Sequence, residues 1–185
     1  MKVSDLDDYV RSSKKSFEAA FVELDERSND ALYSELSWRV AVTAAAPAEV
    51  TGFTPTVDAD DVPRSSASAG LGARIFRRWS AALHEFLCSS SADDEAMRAR
   101  VFQLISKKDG TAPTAVACVL VGSFGVSPAV AAVVSVLCFR IVFRPAGAEI
   151  CAQWRKSLAP TSGLSRKQST KTTAPKSKKS AKAGA

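Results

Sequence analysis

Apolar residues recur along the first 45 positions at three-, four- and seven-residue spacings. Leu6, Val10, Phe17, Phe21, Leu24, Leu32 and Leu36 fall on one stripe of a helix with 3.6 residues per turn. Residues 4–45 are therefore predicted to form an amphipathic helical segment. Ser28-Asn29-Asp30 interrupts the pattern and divides it in two. Ser4 followed by Asp7 resembles a weak capping box. Because a lone amphipathic helix gains little in water, the stripe of Phe17, Phe21 and Leu24 is expected to dock, either on the rest of the chain or on a partner.

A second stripe, Leu71, Ile75, Trp79, Leu83 and Phe86, predicts a helix over 70–89. A third helix is predicted over 92–107. Ser91 opens it, the acidic Asp93, Asp94 and Glu95 suit its first turn, Lys107 and Lys108 suit its last, and Gly110 ends it. Between the first two helical regions, Pro47, Gly52, Pro55 and Pro63 punctuate residues 46–69. Prolines remove backbone donors and restrict their predecessors, so this stretch is predicted to be a linker.

The pattern then changes. From Gly110 to Phe139 no residue is charged. Near the middle, Ser127-Pro128 has the form of a helix start, a capping residue followed by the one residue with no N–H to orphan. The run is predicted to be an apolar helical hairpin over 111–143, with arms of about Pro113 to Phe124 and Pro128 to Phe143. The second arm is apolar nearly all round, interrupted by Ser135 and Arg140. Such a helix belongs at the centre of a core or in lipid. Arms of this length rise roughly 18–24 Å, short of the hydrocarbon thickness of about 30 Å. A re-entrant or monotopic hairpin therefore fits better than two full spans, a single tilted span broken at Pro128 is the alternative, and Arg140 near the arm's end could reach the headgroups. Val121, Phe124, Pro128, Val134 and Arg140 are the residues on which this reading rests. A short last helix over 147–158 carries Ile150, Trp154 and Leu158.

Charge is distributed unevenly. The net charge is +6, yet residues 1–63 hold 6 basic and 13 acidic groups and residues 64–108 hold 8 and 4. From Arg155 to the end there are nine basic residues and no acidic one. Residues 159–185 contain almost nothing to bury and are predicted to be a disordered basic tail. Arg166, Lys167, Lys171, Lys176, Lys178, Lys179 and Lys182 are its candidate polyanion-binding groups, acting by counterion release without sequence choice. Anionic lipid and nucleic acid both suit them, although no aromatic residue is present to stack bases.

Candidate chemistry is sparse. Cys88, Cys118, Cys138 and Cys151 show no C-x-x-C spacing, and the expectation is unpaired cysteines in a reducing compartment. His84, the one histidine, stands at i−4 from Cys88 on a helix with no pocket implied. Gly70-Leu-Gly72 and Gly122-Ser-Phe-Gly125 lack the strand and the Lys-Ser/Thr of a phosphate loop. The sequence thus predicts no enzyme activity, catalytic residue, metal, cofactor or small-molecule substrate. It predicts an all-α protein, a small helical bundle with an apolar hairpin, organised as 1–45, 46–69, 70–158 and 159–185. The leading expectation is a non-enzymatic protein on the cytoplasmic face of a membrane, its hairpin in or against the bilayer and its tail on anionic headgroups. The alternative is a soluble intracellular interaction module whose tail binds nucleic acid or an acidic partner, with a protein partner or a second copy on its apolar helices. The N-terminus has no apolar stretch of the kind a secretory signal needs.

Overall fold

A computed structural model describes residues 1–45, 52–54, 66–91, 94–107, 111–146 and 149–159. Among these residues every regular element is helical, and seven helices of nine residues or more form one bundle. They are α1 (Val3–Asp25), α2 (Asn29–Ala45), α3 (Ser66–Cys88), α4 (Glu95–Ile105), α5 (Thr111–Phe124), α6 (Pro128–Cys138) and α8 (Ile150–Leu158). Between α6 and α8 lie a π-helical turn, Phe139–Phe143, and the single turn α7 (Arg144–Ala146).

The apolar hairpin α5–α6 occupies the centre. α1 and α4 cover α5, α2 and α3 lie over α6, and α8 closes the far side of α3. Ala115 to Leu120 and Ala131 to Val134 are 0 % exposed. An all-round apolar helix needs cover on every side, and here the four preceding amphipathic helices supply it. Gly125 ends the first arm at φ +65°, a left-handed value that carries no Cβ penalty for glycine. Its N–H returns to the Val121 carbonyl at 3.1 Å, the bond that closes a helix with a left-handed cap.

Caps follow the sequence only in part. The break at Ser28 is real: the Ser28 Oγ accepts the Ala31 N–H at 3.2 Å and so caps α2. The first helix starts at Val3, and Asp5, not Asp7, accepts the Lys2 N–H at 3.0 Å. Ser127 stands at the N-cap of α6 with Pro128 following, but its hydroxyl bonds the Thr43 hydroxyl at 3.2 Å instead of capping. Ser91 does not open α4, which starts at Glu95 after Asp94.

Two boundaries move. Ser66 to Ala69, predicted as linker, form the first turn of α3. Phe53, in the same predicted linker, is buried with its ring edge-on to Phe17 at 5.3 Å. Apart from Gly52 and Thr54, the remainder of 46–69 lies outside the described residues.

The largest departure concerns which side of α3 is buried. The core side is Gly72, Phe76, Ser80, Leu83 and Leu87, so only Leu83 is shared with the predicted stripe. Small residues decide this. A Cβ on Gly72 would stand 1.7 Å from the Tyr33 backbone oxygen, so α2 and α3 meet backbone to backbone there. Ser80 receives the Trp154 indole N–H at 2.8 Å. Hydrophobic periodicity does not register a glycine or a serine as a packing face. Gly72→Ala is therefore expected to destabilise the protein by about 1–3 kcal/mol through overpacking. Gly70→Ala, with nothing within 4 Å of its Cβ, should be neutral or stabilising by up to about 1 kcal/mol through helix propensity. Urea midpoints of the two variants check this.

Candidate functional site

Since the core side of α3 is rotated from the predicted stripe, that stripe is left on the other side. Leu71 is 44 % exposed, and Ile75, Trp79 and Ala82 are half-buried. Ile75, Trp79 and Ala82 form one wall of a groove of about 620 Å³. The opposite wall is Val40, Thr43 and Ala44 from the last turns of α2, and the floor is Val126, Ser127 and Val130 from the start of α6. Trp79 is held by the Phe124 ring, edge-on at 6.2 Å. Phe124 also meets Phe86 edge-on at 5.8 Å. The indole wall is thus braced by the end of the first hairpin arm.

The rim of the groove is basic. Arg78 lines it, and Arg74 lies one turn earlier on the same side of α3. Both are exposed, and no ion pair engages either of them among the described residues. Arg77 belongs elsewhere, beside a small cavity of about 140 Å³ near Phe76 and Ser80. A larger hollow of about 700 Å³ lies beyond the other end of the α2–α3 contact, lined by serines, alanines, Tyr33 and Asp30. Its walls carry no large apolar side chain except Tyr33.

Behind the floor is a buried charge cluster. The Arg39 guanidinium bonds the Glu35 carboxylate, and donates to the Phe53 carbonyl at 3.1 Å and the Ala129 carbonyl at 2.7 Å. Glu35 also accepts from Arg27. Arg39 and Glu35 side chains are each 3 % exposed. Burial pushes the Arg39 pKa down and the Glu35 charge pushes it back up; an arginine so paired stays protonated. Through Ala129 this cluster fixes the first turn of α6, and hence the groove floor. Nothing in the sequence pattern singled out Arg39, because a charged residue in an amphipathic helix reads as surface.

The residues predicted for membrane or core contact are divided by the structure. Val134 is fully buried, Val121, Phe124 and Pro128 are half-buried, and Gly122, Ser123 and Gly125 at the turn are exposed. Arg140, in the π-helical turn, bonds the chain itself. Its Nε donates to Asp25 Oδ1 at 2.7 Å and its Nη1 to the Arg27 carbonyl at 2.6 Å. It ties the end of the second arm to the corner between α1 and α2. Of the residues predicted to dock, Phe17 and Leu24 are 1 % exposed within the core. Phe21 is half-buried, edge-on to Phe139 at 5.9 Å. Among the described residues no helix is long and apolar enough to cross a membrane. The candidate tail residues Arg166, Lys167, Lys171, Lys176, Lys178, Lys179 and Lys182 lie outside the described residues.

The cysteine expectation needs correction. Cys88 and Cys151 form a disulfide, with Cα atoms 5.7 Å apart. They are 63 positions apart in the sequence, and only the return of α8 to the end of α3 brings them together. Cys118 and Cys138 are free and buried. Burial pushes the Cys118 thiol up to about 12 and the Cys138 thiol higher still. His84 is half-buried, its Nε2 3.3 Å from the Cys151 carbonyl and its ring edge-on to Trp154 at 5.7 Å. No group of three His, Cys, Asp or Glu among the described residues could hold a metal ion. Compared with family models, curated proteins and solved structures, the chain matches none.

Proposed function

We propose that this protein is a non-enzymatic helical interaction module that receives an acidic amphipathic helix of a partner protein in the groove between α2 and α3. One observation carries the reading. Among the described residues, α3 has two apolar sides, one covered and the other half-buried along a groove rimmed by Arg74 and Arg78, which no ion pair among those residues engages. A helix laid in such a groove would seat apolar residues at i, i+3 and i+4 against Ile75 and Trp79. Its carboxylates would meet the two arginines, which favours association and selects against basic segments. The basic tail would add a salt-sensitive attraction to the same acidic partner.

Insertion of the hairpin in a bilayer is the rival. α1 to α4 cover most of the arms and leave the turn end at Gly122, Ser123 and Gly125 exposed, so insertion of the arms would first require that cover to open. Arg140 would also have to leave Asp25.

The test uses a designed 18-residue amphipathic peptide (length set by about five turns) with leucines on one face and glutamates beside them. A lysine version of equal hydrophobicity is the control. The glutamate peptide is expected to bind the intact protein at least about tenfold more tightly, roughly 1.4 kcal/mol. Arg74→Glu with Arg78→Glu should reverse the preference, and Trp79→Ala should remove most of the binding. Equal binding of both peptides, or binding indifferent to Trp79→Ala, would defeat the reading. So would retention of the unmodified chain on anionic vesicles through an alkaline wash, which would favour insertion.

A further inference from the structure

The face of α3 opposite the groove is closed by α8, and the closure is held in an unusual way. α8 has nine residues, and a free helix of that length is marginal in water. One of its side chains is buried, Trp154. The indole fills a slot made by three neighbours. Its N–H donates to the Ser80 Oγ at 2.8 Å, the Phe143 ring meets it edge-on at 5.3 Å, and the His84 ring does so at 5.7 Å. Ile150 and Leu158 pack half-buried against the core, and the Cys151 carbonyl lies 3.3 Å from His84 Nε2. A further anchor is covalent. Cys88 is the last residue of α3 and Cys151 the second of α8, so the disulfide pins the start of α8 to the end of α3.

We propose that α8 is a thiol-releasable cover, and that reduction of Cys88–Cys151 lets it leave α3 and bares the slot that Trp154 fills. Both cysteines are half-buried, within reach of a small thiol of the glutathione class. The thiolate of one such molecule attacks one sulfur of the bond and displaces the other cysteine as a thiolate, which takes up a proton. A second thiol then attacks the mixed disulfide. The products are two protein thiols and the disulfide of the small thiol, so the protein is reduced and the small thiol oxidised. Cys118 and Cys138 do not compete as exchange partners, because both are fully buried and hold their protons. α1 to α4 cover α5 and α6, while α8 meets the end of the second arm at Phe143. Opening is therefore local. It would present the ring of Phe143, the ring of His84 and the Ser80 hydroxyl, a slot suited to an aromatic side chain that brings a hydrogen-bond donor. This site is separate from the groove and stands or falls without it.

The experiment is amide hydrogen exchange on the full chain, oxidised and after reduction by dithiothreitol, with reduction verified by a rise from two to four titratable thiols in denaturant. Reduced protein is expected to exchange the amides of Ile150 to Leu158 at least about a hundredfold faster than oxidised protein, while those of Ala115 to Leu120 stay slow. Cys88→Ser, unreduced, should match the reduced chain. Two results would overturn the proposal. In one, α8 keeps its protection after reduction, and the bond is an inert brace. In the other, α5 loses protection to the same level as α8, and the bond holds the whole fold rather than a cover.

Discussion

Val134→Asp is expected to unfold this protein, and Val121→Asp to leave it folded. Val134 is 0 % exposed in the middle of α6, between the fully buried Val133 and Ser135. A buried carboxylate without a partner either stays charged at a cost of several kcal/mol or takes up a proton and leaves a polar group unsatisfied. Against a total stability of about 5–15 kcal/mol for a domain, a loss of about 4 kcal/mol or more removes the cooperative transition or shifts it far down in urea. Val121 is half-buried beside the exposed Gly122 and Ser123, so an aspartate there can turn to water. Its cost is loss of part of a valine contact plus an unfavourable charge near a helix C-terminus, about 1–2 kcal/mol together. Circular dichroism during urea titration measures both. Similar, small effects at the two positions would show that the second arm is not the centre of the core. That result would return the hairpin to the bilayer reading, in which both substitutions act by weakening insertion.

Arg39→Ala is expected to cost about 3–5 kcal/mol, because it leaves one member of a buried pair behind. Three acceptors lose their donor at once: the Glu35 carboxylate, the Phe53 carbonyl and the Ala129 carbonyl. Arg27 still reaches Glu35, which keeps the loss from being larger. Replacing both partners, Glu35→Met with Arg39→Met, should recover much of the stability, since an apolar pair of similar volume removes the desolvation cost along with the attraction. A double-mutant cycle by chemical denaturation separates the coupling from the single losses. Because Arg39 also holds the first turn of α6, the single variant should weaken the groove as well as the fold. If Arg39→Ala proved as stable as the double methionine variant, the cluster would be contributing little to the fold.

Much of the architecture was legible in the spacing of apolar residues. Of the predicted stripe, Leu6, Val10, Phe17, Leu24, Leu32 and Leu36 are buried and Phe21 is half-buried. The break near Ser28 and the hairpin turn before Pro128 stand close to where turn chemistry places them. These features are local. A period of 3.6, a proline at a first helical position and a glycine at positive φ act over a few residues and leave their mark in the sequence. The stripe on α3 was also visible, but its environment was not. Whether Ile75 and Trp79 face a core or a groove depends on how closely α2 can approach α3. Gly72 decides that by allowing contact with the Tyr33 backbone.

The sequence by itself determined an all-helical chain, the positions of most of its helices and an apolar hairpin that needs cover. Tertiary structure alone decided what provides the cover, which side of α3 remains open, that Arg39 and Glu35 are buried, and that Cys88 meets Cys151. Each of these depends on residues distant in the chain: 90 positions separate Arg39 from Ala129 and 74 separate Trp154 from Ser80. Periodicity records which residues avoid water. The identity of the surface that replaces water is set only when the helices have packed.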